Sequence, residues 1–425
     1  MIIIISEILM KGAQYHMNLY KREKYLRKIR PFYDTDDLIK VISGIRRCGK
    51  SSLMEMIADE LRAREIKEEN IIYIDLDTRS YNKIRTADQL ESLIDSRLQG
   101  HDLHYLFIDE VQNVAGFEEV LNAFRTEGGI SIFITGSNSY MLSGELVTKL
   151  TGRYIEFEIY TLSFEEYEHM KEFYHKEVNS NPMVELNQYI LEGGFPRTIL
   201  IDEIPAKRTY VTEVVREILE KDIRRRIKIK DLASFEAVRN YIINNFGATT
   251  SINSLHGALR KTGIAIGRDT VSRYIQTLID AKILYECNRF DMKSKRALSG
   301  EKKYYLADLS FYFALNTDNR INYGPTLENI VYFYAKSLDY AVSVGRIGKL
   351  ECDFILRDKE LNYSYIQTAY TIALSRETED REYRALEAIR DNYKKYVVTT
   401  DYLLQKRSGI EHVNMMDFML REDMF

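Results

Sequence analysis

The stretch "LIKVISGIRRCGKSSLMEMIADEL", Leu38 to Leu61, decides the fold. A short apolar run ends at Ser43, a loop punctuated by glycine follows, and an amphipathic helix starts at once. Inside it, Gly44-x-x-x-x-Gly49-Lys50-Ser51 has the spacing of a P-loop in the strand, loop and helix context that motif requires. Each residue type has a reason to be there. Glycines let backbone N–H groups wrap phosphate, and the helix N-terminus adds partial positive charge. Lys50 is placed for the β- and γ-phosphates, and the Ser51 hydroxyl for Mg²⁺. The expected ATP cradle is Gly44, Ile45, Arg46, Arg47, Cys48, Gly49, Lys50, Ser51 and Ser52. A chance match to a loose pattern is the competing explanation.

The next apolar run removes most of that doubt. "HYLFIDEVQNV", His104 to Val114, reads as a buried strand ending in two adjacent acids. Asp109 can reach the Mg²⁺ shell and Glu110 can orient the attacking water. "SIFITGSNS", Ser131 to Ser139, reads as a further buried strand that ends in Thr135, Ser137 and Asn138, polar groups able to touch the γ-phosphate or the water. In "KLTGRYIEFEI", Arg153 precedes another strand. It is either an ordinary surface arginine or an arginine finger.

These residues resemble the AAA+-type ATPases of bacteria and archaea that carry a winged helix and a C-terminal restriction-endonuclease-like domain of unknown function. The resemblance runs from Met17 to nearly the end, through "GIRRCGKSSL", "LFIDEVQNV", "ITGSNS", "LTGRYIEFEIYTLSFEEY", "LEGGFPR" and "ECDFI…YIQTAY". Where the family usually has Pro-Leu-Ser-Phe this chain has Thr161-Leu162-Ser163-Phe164, which touches nothing catalytic. The resemblance implies an α/β P-loop parallel sheet over 17–160, a helical lid over 161–231, a winged helix over 232–310 and a restriction-endonuclease-like α/β domain over 311–425. It also implies that Arg153 faces a neighbouring subunit's nucleotide, and so a homo-oligomer.

In the lid region, Arg197 of "GGFPR" is a nucleotide sensor or a structural residue. "KDIRRRIKIK", Lys221 to Lys230, holds six bases against one acid, which suits a solvated helix face or a phosphate backbone. Three helical segments and an alternating hairpin with a basic tip follow, the winged-helix layout. Arg268, Arg273, Lys293, Lys295 and Arg296 are then the candidate DNA contacts. Winged helices also bind proteins.

From Thr326 the pattern reads helix, three strands, helix and strand, the core of a metal-dependent nuclease. An active member would hold Mg²⁺ with a helix glutamate, a strand aspartate and a following Glu-x-Lys. The corresponding residues here are Glu328, Asp353, Gln367 and Ala369. Gln367 brings no charge and Ala369 nothing at all, so the expectation is a degenerate site that scaffolds and does not cut. Lys349, in the adjacent turn, is the one candidate substitute for the lost lysine.

The bulk numbers exclude several classes. In 425 residues, a formal net charge of −4 gives no global pull toward nucleic acid or membrane, so binding must rest on local patches. Three cysteines, Cys48, Cys287 and Cys352, fit neither a disulfide framework nor a zinc site and point to a reducing cytoplasm. "MIIIIS" is too short for a signal peptide or a span, and residues 1–16 read as an extension or a start-site artefact before Met17. Three functions remain: an ATP-hydrolysing switch coupled to a DNA or protein partner, an ATP-gated nuclease, or a nucleotide-binding scaffold with protein partners only.

Overall fold

The computed structural model describes residues 19–136, 150, 152–223, 231–316 and 320–420. Strands β1 (Ile39–Ser43), β2 (Ile71–Asp75), β3 (His104–Asp109), β4 (Ile130–Thr135) and β5 (Tyr154–Glu158) form a parallel sheet in the order β2-β3-β4-β1-β5. Helices cover both faces, so β1, β3 and β4 are buried along their whole length. Alternate residues divide between the faces. Ile132 and Ile134 of β4 face helices α3 (Ala87–Asp95) and α4 (Phe117–Glu127), while Phe133 joins Phe107 and α2 (Lys50–Ala63). Phe107 and Phe133 stack at 4.8 Å, directly beneath the strand ends that carry the acids.

The region read from the sequence as a lid consists of α5 (Phe164–Phe173), α6 (Pro182–Glu192), a 3₁₀ turn (Pro196–Leu200) and α7 (Ile204–Glu217), continued by a π-helical stretch (Ile218–Ile223). Ser163 and Glu166 close a capping box at the start of α5. The same Glu166 forms a buried ion pair with Arg22, whose guanidinium also donates to the carbonyls of Cys48 (3.1 Å) and Tyr160 (2.9 Å). One arginine thereby ties the N-terminal segment, the P-loop and the lid together.

Helices α8 (Leu232–Asn244), α9 (Ile252–Lys261) and α10 (Arg268–Asp280) are followed by the hairpin β7 (Leu284–Asp291) and β8 (Arg296–Leu306), the expected order for a winged helix. Beyond α11 (Ser310–Leu315) and α12 (Tyr323–Ser337) come β9 (Ala341–Ile347), β10 (Leu350–Arg357), β11 (Tyr363–Thr368), α13 (Arg376–Glu387) and β12 (Lys394–Thr399). Two features lie outside the sequence reading. The chain closes with β13 (Lys406–Arg407), β14 (Ile410–Asn414) and α14 (Met415–Met419). The hairpin also pairs with the C-terminal strands, β7 running parallel to β9 through Arg289↔Val344 to Asp291↔Arg346. With the short β6 (Thr250–Ser251) at its edge, one nine-stranded sheet, β13-β14-β12-β11-β10-β9-β7-β8-β6, spans both regions, so a boundary at 310 parts them in sequence and not in the sheet.

Candidate nucleotide site

The phosphate loop is built by backbone geometry that only small or unusual residues accept. Gly44 sits at φ 144° with its Cα against β5, and a Cβ there would lie 2.2 Å from the Ile159 carbonyl oxygen. Gly49, at φ 104°, is the N-cap of α2 and turns the loop into the helix. The helix N-terminus thus opens where phosphate is expected. Lys50 is nearly buried, and its Nζ donates to the carbonyls of Gly44 (3.0 Å) and Ile45 (3.2 Å), two weak neutral partners. Cys48 faces inward, its thiol donating to Ile159 O at 3.6 Å, with burial pushing its pKa up.

Asp109 ends β3 as expected, and Glu110 follows it as the N-cap of a short 3₁₀ helix. The Thr135 hydroxyl and the Glu110 N–H (3.1 Å) both donate to Asp109 Oδ1, and among the described residues no hydrogen bond engages Oδ2. Glu110 has a left-handed φ of 56°, and Gln112 donates its amide to the Glu110 carboxylate. Gln112 was missed by the sequence reading, although "DEVQ" places it one turn past the acids. Among the described residues no group of three or more His, Cys, Asp or Glu is arranged to hold a metal ion. A P-loop Mg²⁺ does not need one, because one hydroxyl, one carboxylate, water and the phosphates complete its shell. Ser51 and Asp109 fit that role, and the ion would offset charge on the phosphates there.

These groups line one cavity of about 670 Å³, within the range of small-molecule sites. Its walls include Arg46, Arg47, Gly49, Lys50, Ser51, Ser52, Asp109 and Glu110, with Tyr20, Tyr174 and Arg197 on the lid side. Asp75, the last residue of β2 and paired with Asp109, and Asp77 just beyond it add two carboxylates to the wall. Asn138, the candidate sensor, and Ser137 lie outside the described residues, as do residues 1–16 and the 224–230 part of the basic run. Arg153 is exposed just before β5, and its backbone carbonyl accepts from Ile39 N at 3.0 Å.

The two P-loop arginines hold the lid. Arg46 donates through Nε and Nη2 to Asp222, both at 3.1 Å, and Arg47 meets Glu217 at 3.1–3.2 Å. Both acids lie 170 or more positions away in sequence, so no local pattern reveals them. On the far side of the P-loop, Glu158 at the end of β5 accepts from Tyr285 OH (3.0 Å) and pairs with Lys282.

A family model described as an AAA domain matches residues 36–168, and one described as a domain of unknown function matches 183–321. A Haemophilus influenzae protein described as uncharacterized is 34% identical over 406 residues, covering 95% of this chain and 99% of that one. The chain belongs to the AAA+-type P-loop ATPases. An uncharacterized Methanocaldococcus jannaschii protein is 28% identical over 390 residues, 89% of this chain and 85% of that one. A Walker-type ATPase of Pyrococcus abyssi matches in fold at 16% identity and a TM-score of 0.50, over 70% of this chain and 96% of that chain. No helix among the described residues of this AAA+ chain is long and apolar enough to cross a membrane.

The C-terminal α/β region of the same AAA+ chain gathers a charged cluster that includes a lysine outside the sequence reading. Lys349, the candidate substitute, stands exposed in the turn between β9 and β10. The ammonium among the acids belongs to Lys303 of β8, 2.9 Å from Glu328, 3.1 Å from Glu351 and 3.8 Å from Asp353. Burial, then repulsion from Glu328, pushes the Asp353 carboxyl well above the usual carboxylate range against the pull of Lys303. Gln367 is occupied at both ends, accepting from Asp353 N (3.4 Å) and donating to Glu382 (3.1 Å). The five candidate DNA contacts, Arg268, Arg273, Lys293, Lys295 and Arg296, are all exposed.

Proposed function

We propose that this protein binds ATP with Mg²⁺ at the P-loop, hydrolyses it, and uses the nucleotide state to change how its winged helix holds a DNA partner. The observation that carries the reading is the clasp of Arg46 and Arg47 on Asp222 and Glu217. Phosphates entering the loop would compete for the same guanidiniums, because both are anions suited to an arginine fork. Binding would then loosen the segment that leads into the basic run and the three helices. The Glu158 contact with Lys282 and Tyr285 gives a second link from the sheet edge beside the P-loop to the hairpin.

In hydrolysis, Glu110 would orient the water, with Gln112 fixing its carboxylate, while Lys50 leaves its two carbonyls for the β- and γ-phosphates. Arg153 would supply charge to a neighbouring subunit's γ-phosphoryl group, so that the active species is an oligomer. For the partner, duplex DNA is favoured over a protein by the exposed bases of α10 and the hairpin tip. Arg346 is also exposed, and its carbonyl accepts from Met292 N at 3.0 Å, which sets a further base beside that tip. Phosphate contacts of this kind release counterions, so binding should be weak and salt-sensitive.

The test is ATP turnover by the purified protein with and without duplex DNA, paired with DNA binding at low and raised salt. The reading requires Mg²⁺-dependent turnover that DNA changes, and binding lost on charge reversal at Arg268, Arg273 and Lys295. Turnover indifferent to DNA, with no binding even at low salt, would favour a protein partner.

A further inference from the structure

The nuclease-like core implies a divalent cation at Glu328 and Asp353, and with Lys303 in place the donor set does not fit one. Space among the acids is taken by a lysine that no motif in the core supplies. Lys303 reaches in from β8, with its side chain 6% exposed, and its ammonium, a three-donor cation, meets Glu328, Glu351 and Asp353. Its neighbours are committed to that arrangement. Tyr305, two residues on along the same face of β8, donates to the same Glu328 oxygen at 2.9 Å, and Arg289 of β7 donates to Glu351 at 2.8 Å. A bulge between Cys352 and Ile355 turns Asp353, whose second oxygen accepts from Thr368 N at 2.8 Å. Gln367, at the position of the missing carboxylate, is spent on Asp353 N and Glu382. A hard cation would have to expel the ammonium and accept a neutral amide already in use.

We propose that the Lys303 ammonium occupies the cation place of this nuclease-like centre, so that the C-terminal core is metal-independent and is locked to the hairpin by the same charge. A cation has been exchanged for a side chain, and the side chain comes from the neighbouring unit of the sheet. This fuses the DNA-facing hairpin and the C-terminal core into one body. The inference goes beyond the ATPase reading and stands whether or not the P-loop hydrolyses ATP.

The experiment is thermal melting of the nucleotide-free full chain in EDTA and in Mn²⁺, for wild type, Lys303→Met and Lys303→Met/Asp353→Asn. Wild type should melt at the same temperature in both. Lys303→Met should melt several degrees lower in EDTA and recover in Mn²⁺, because a buried acid cluster stripped of its cation accepts another. The double variant should show no recovery. A Lys303→Met protein that ignores Mn²⁺, whatever its melting temperature, overturns the proposal. If Lys303→Met does not fold, Mn²⁺ binding to wild type and Asp353→Asn by electron paramagnetic resonance decides the matter. No bound Mn²⁺ that depends on Asp353 supports the proposal, and wild-type binding lost in Asp353→Asn refutes it.

Discussion

Lys50 and Lys303 both lie in nearly buried polar centres beside acids, and they differ in what holds them. Lys50 rests on two backbone carbonyls at the wall of a cavity of about 670 Å³. Lys303, with its side chain 6% exposed, is held by three carboxylates. Neutral carbonyls are partners that a phosphate can outbid, since a hydrogen bond to a charged group is worth about twice a neutral one. A lysine paired with buried carboxylates is far harder to draw away, because the acids left behind would be uncompensated. The lesson is that a lysine is available for chemistry when its resting partners are weak. The same residue type serves phosphate in one centre and architecture in the other.

That comparison breaks first at Arg153. If the P-loop centre is completed by a neighbour, Arg153→Ala should lose turnover by on the order of 10³–10⁵-fold. Mixed with inactive Lys50→Ala it should regain turnover, since one protein supplies the site and the other the finger. A mixture that stays dead makes Arg153 structural or confines it to its own chain. Glu110→Gln comes next, with an expected loss of about 10²–10⁴-fold in turnover and ATP binding retained, measured by phosphate release and equilibrium binding. Turnover within a factor of two of wild type would remove Glu110 from the chemistry.

The lid clasp sharpens the comparison on a smaller scale. In Asp222→Ala, Arg46 is freed for phosphate, so ATP should bind about fivefold tighter, roughly 1 kcal/mol of coupling, and DNA should no longer alter the rate. Unchanged affinity with intact DNA response would show the clasp to be passive.

A third buried lysine carries the comparison to pH rather than to turnover. Lys40, in β1, donates to Ser131 Oγ (2.8 Å) and Leu38 O (3.0 Å), and burial holds its pKa down to about 7 from 10.5, with Asp36, Asp37 and Asp34 pulling it back up. Above pH 7 the unfolded chain therefore binds a proton that the folded chain has lost, and stability rises with pH until about 10.5. Below pH 7 the burial penalty is fully present. Melting curves of Lys40→Met across this window should lack that rise, and slopes identical to wild type would contradict it.

Local motifs made the P-loop centre legible. Lys50, Ser51, Asp109 and Glu110 are tied to strand ends by short-range pattern, and the sheet then brings those ends together at one edge. The three helices and the hairpin were legible for the same reason, through apolar periodicity and a basic turn. Contacts between distant segments were not. The parallel pairing of β7 with β9 has no signature in either strand, so the sheet that joins hairpin to core stayed hidden. Lys303 sits in "EKKYYLAD", which reads as an ordinary strand, and only that pairing aims it at Glu328 and Asp353. Arg46 and Asp222 are separated by 176 positions, and only the fold of the lid joins them.

The most direct measurement follows phosphate release from ATP and nicking of duplex DNA in the same reactions, with Mg²⁺ and with Mn²⁺, for wild type, Lys50→Ala and Asp353→Ala. The account predicts phosphate release by wild type and Asp353→Ala, background release by Lys50→Ala, and no nicking by any of them. Nicking by wild type that disappears in Asp353→Ala, or phosphate release that survives in Lys50→Ala, would contradict the division of labour between the two lysines.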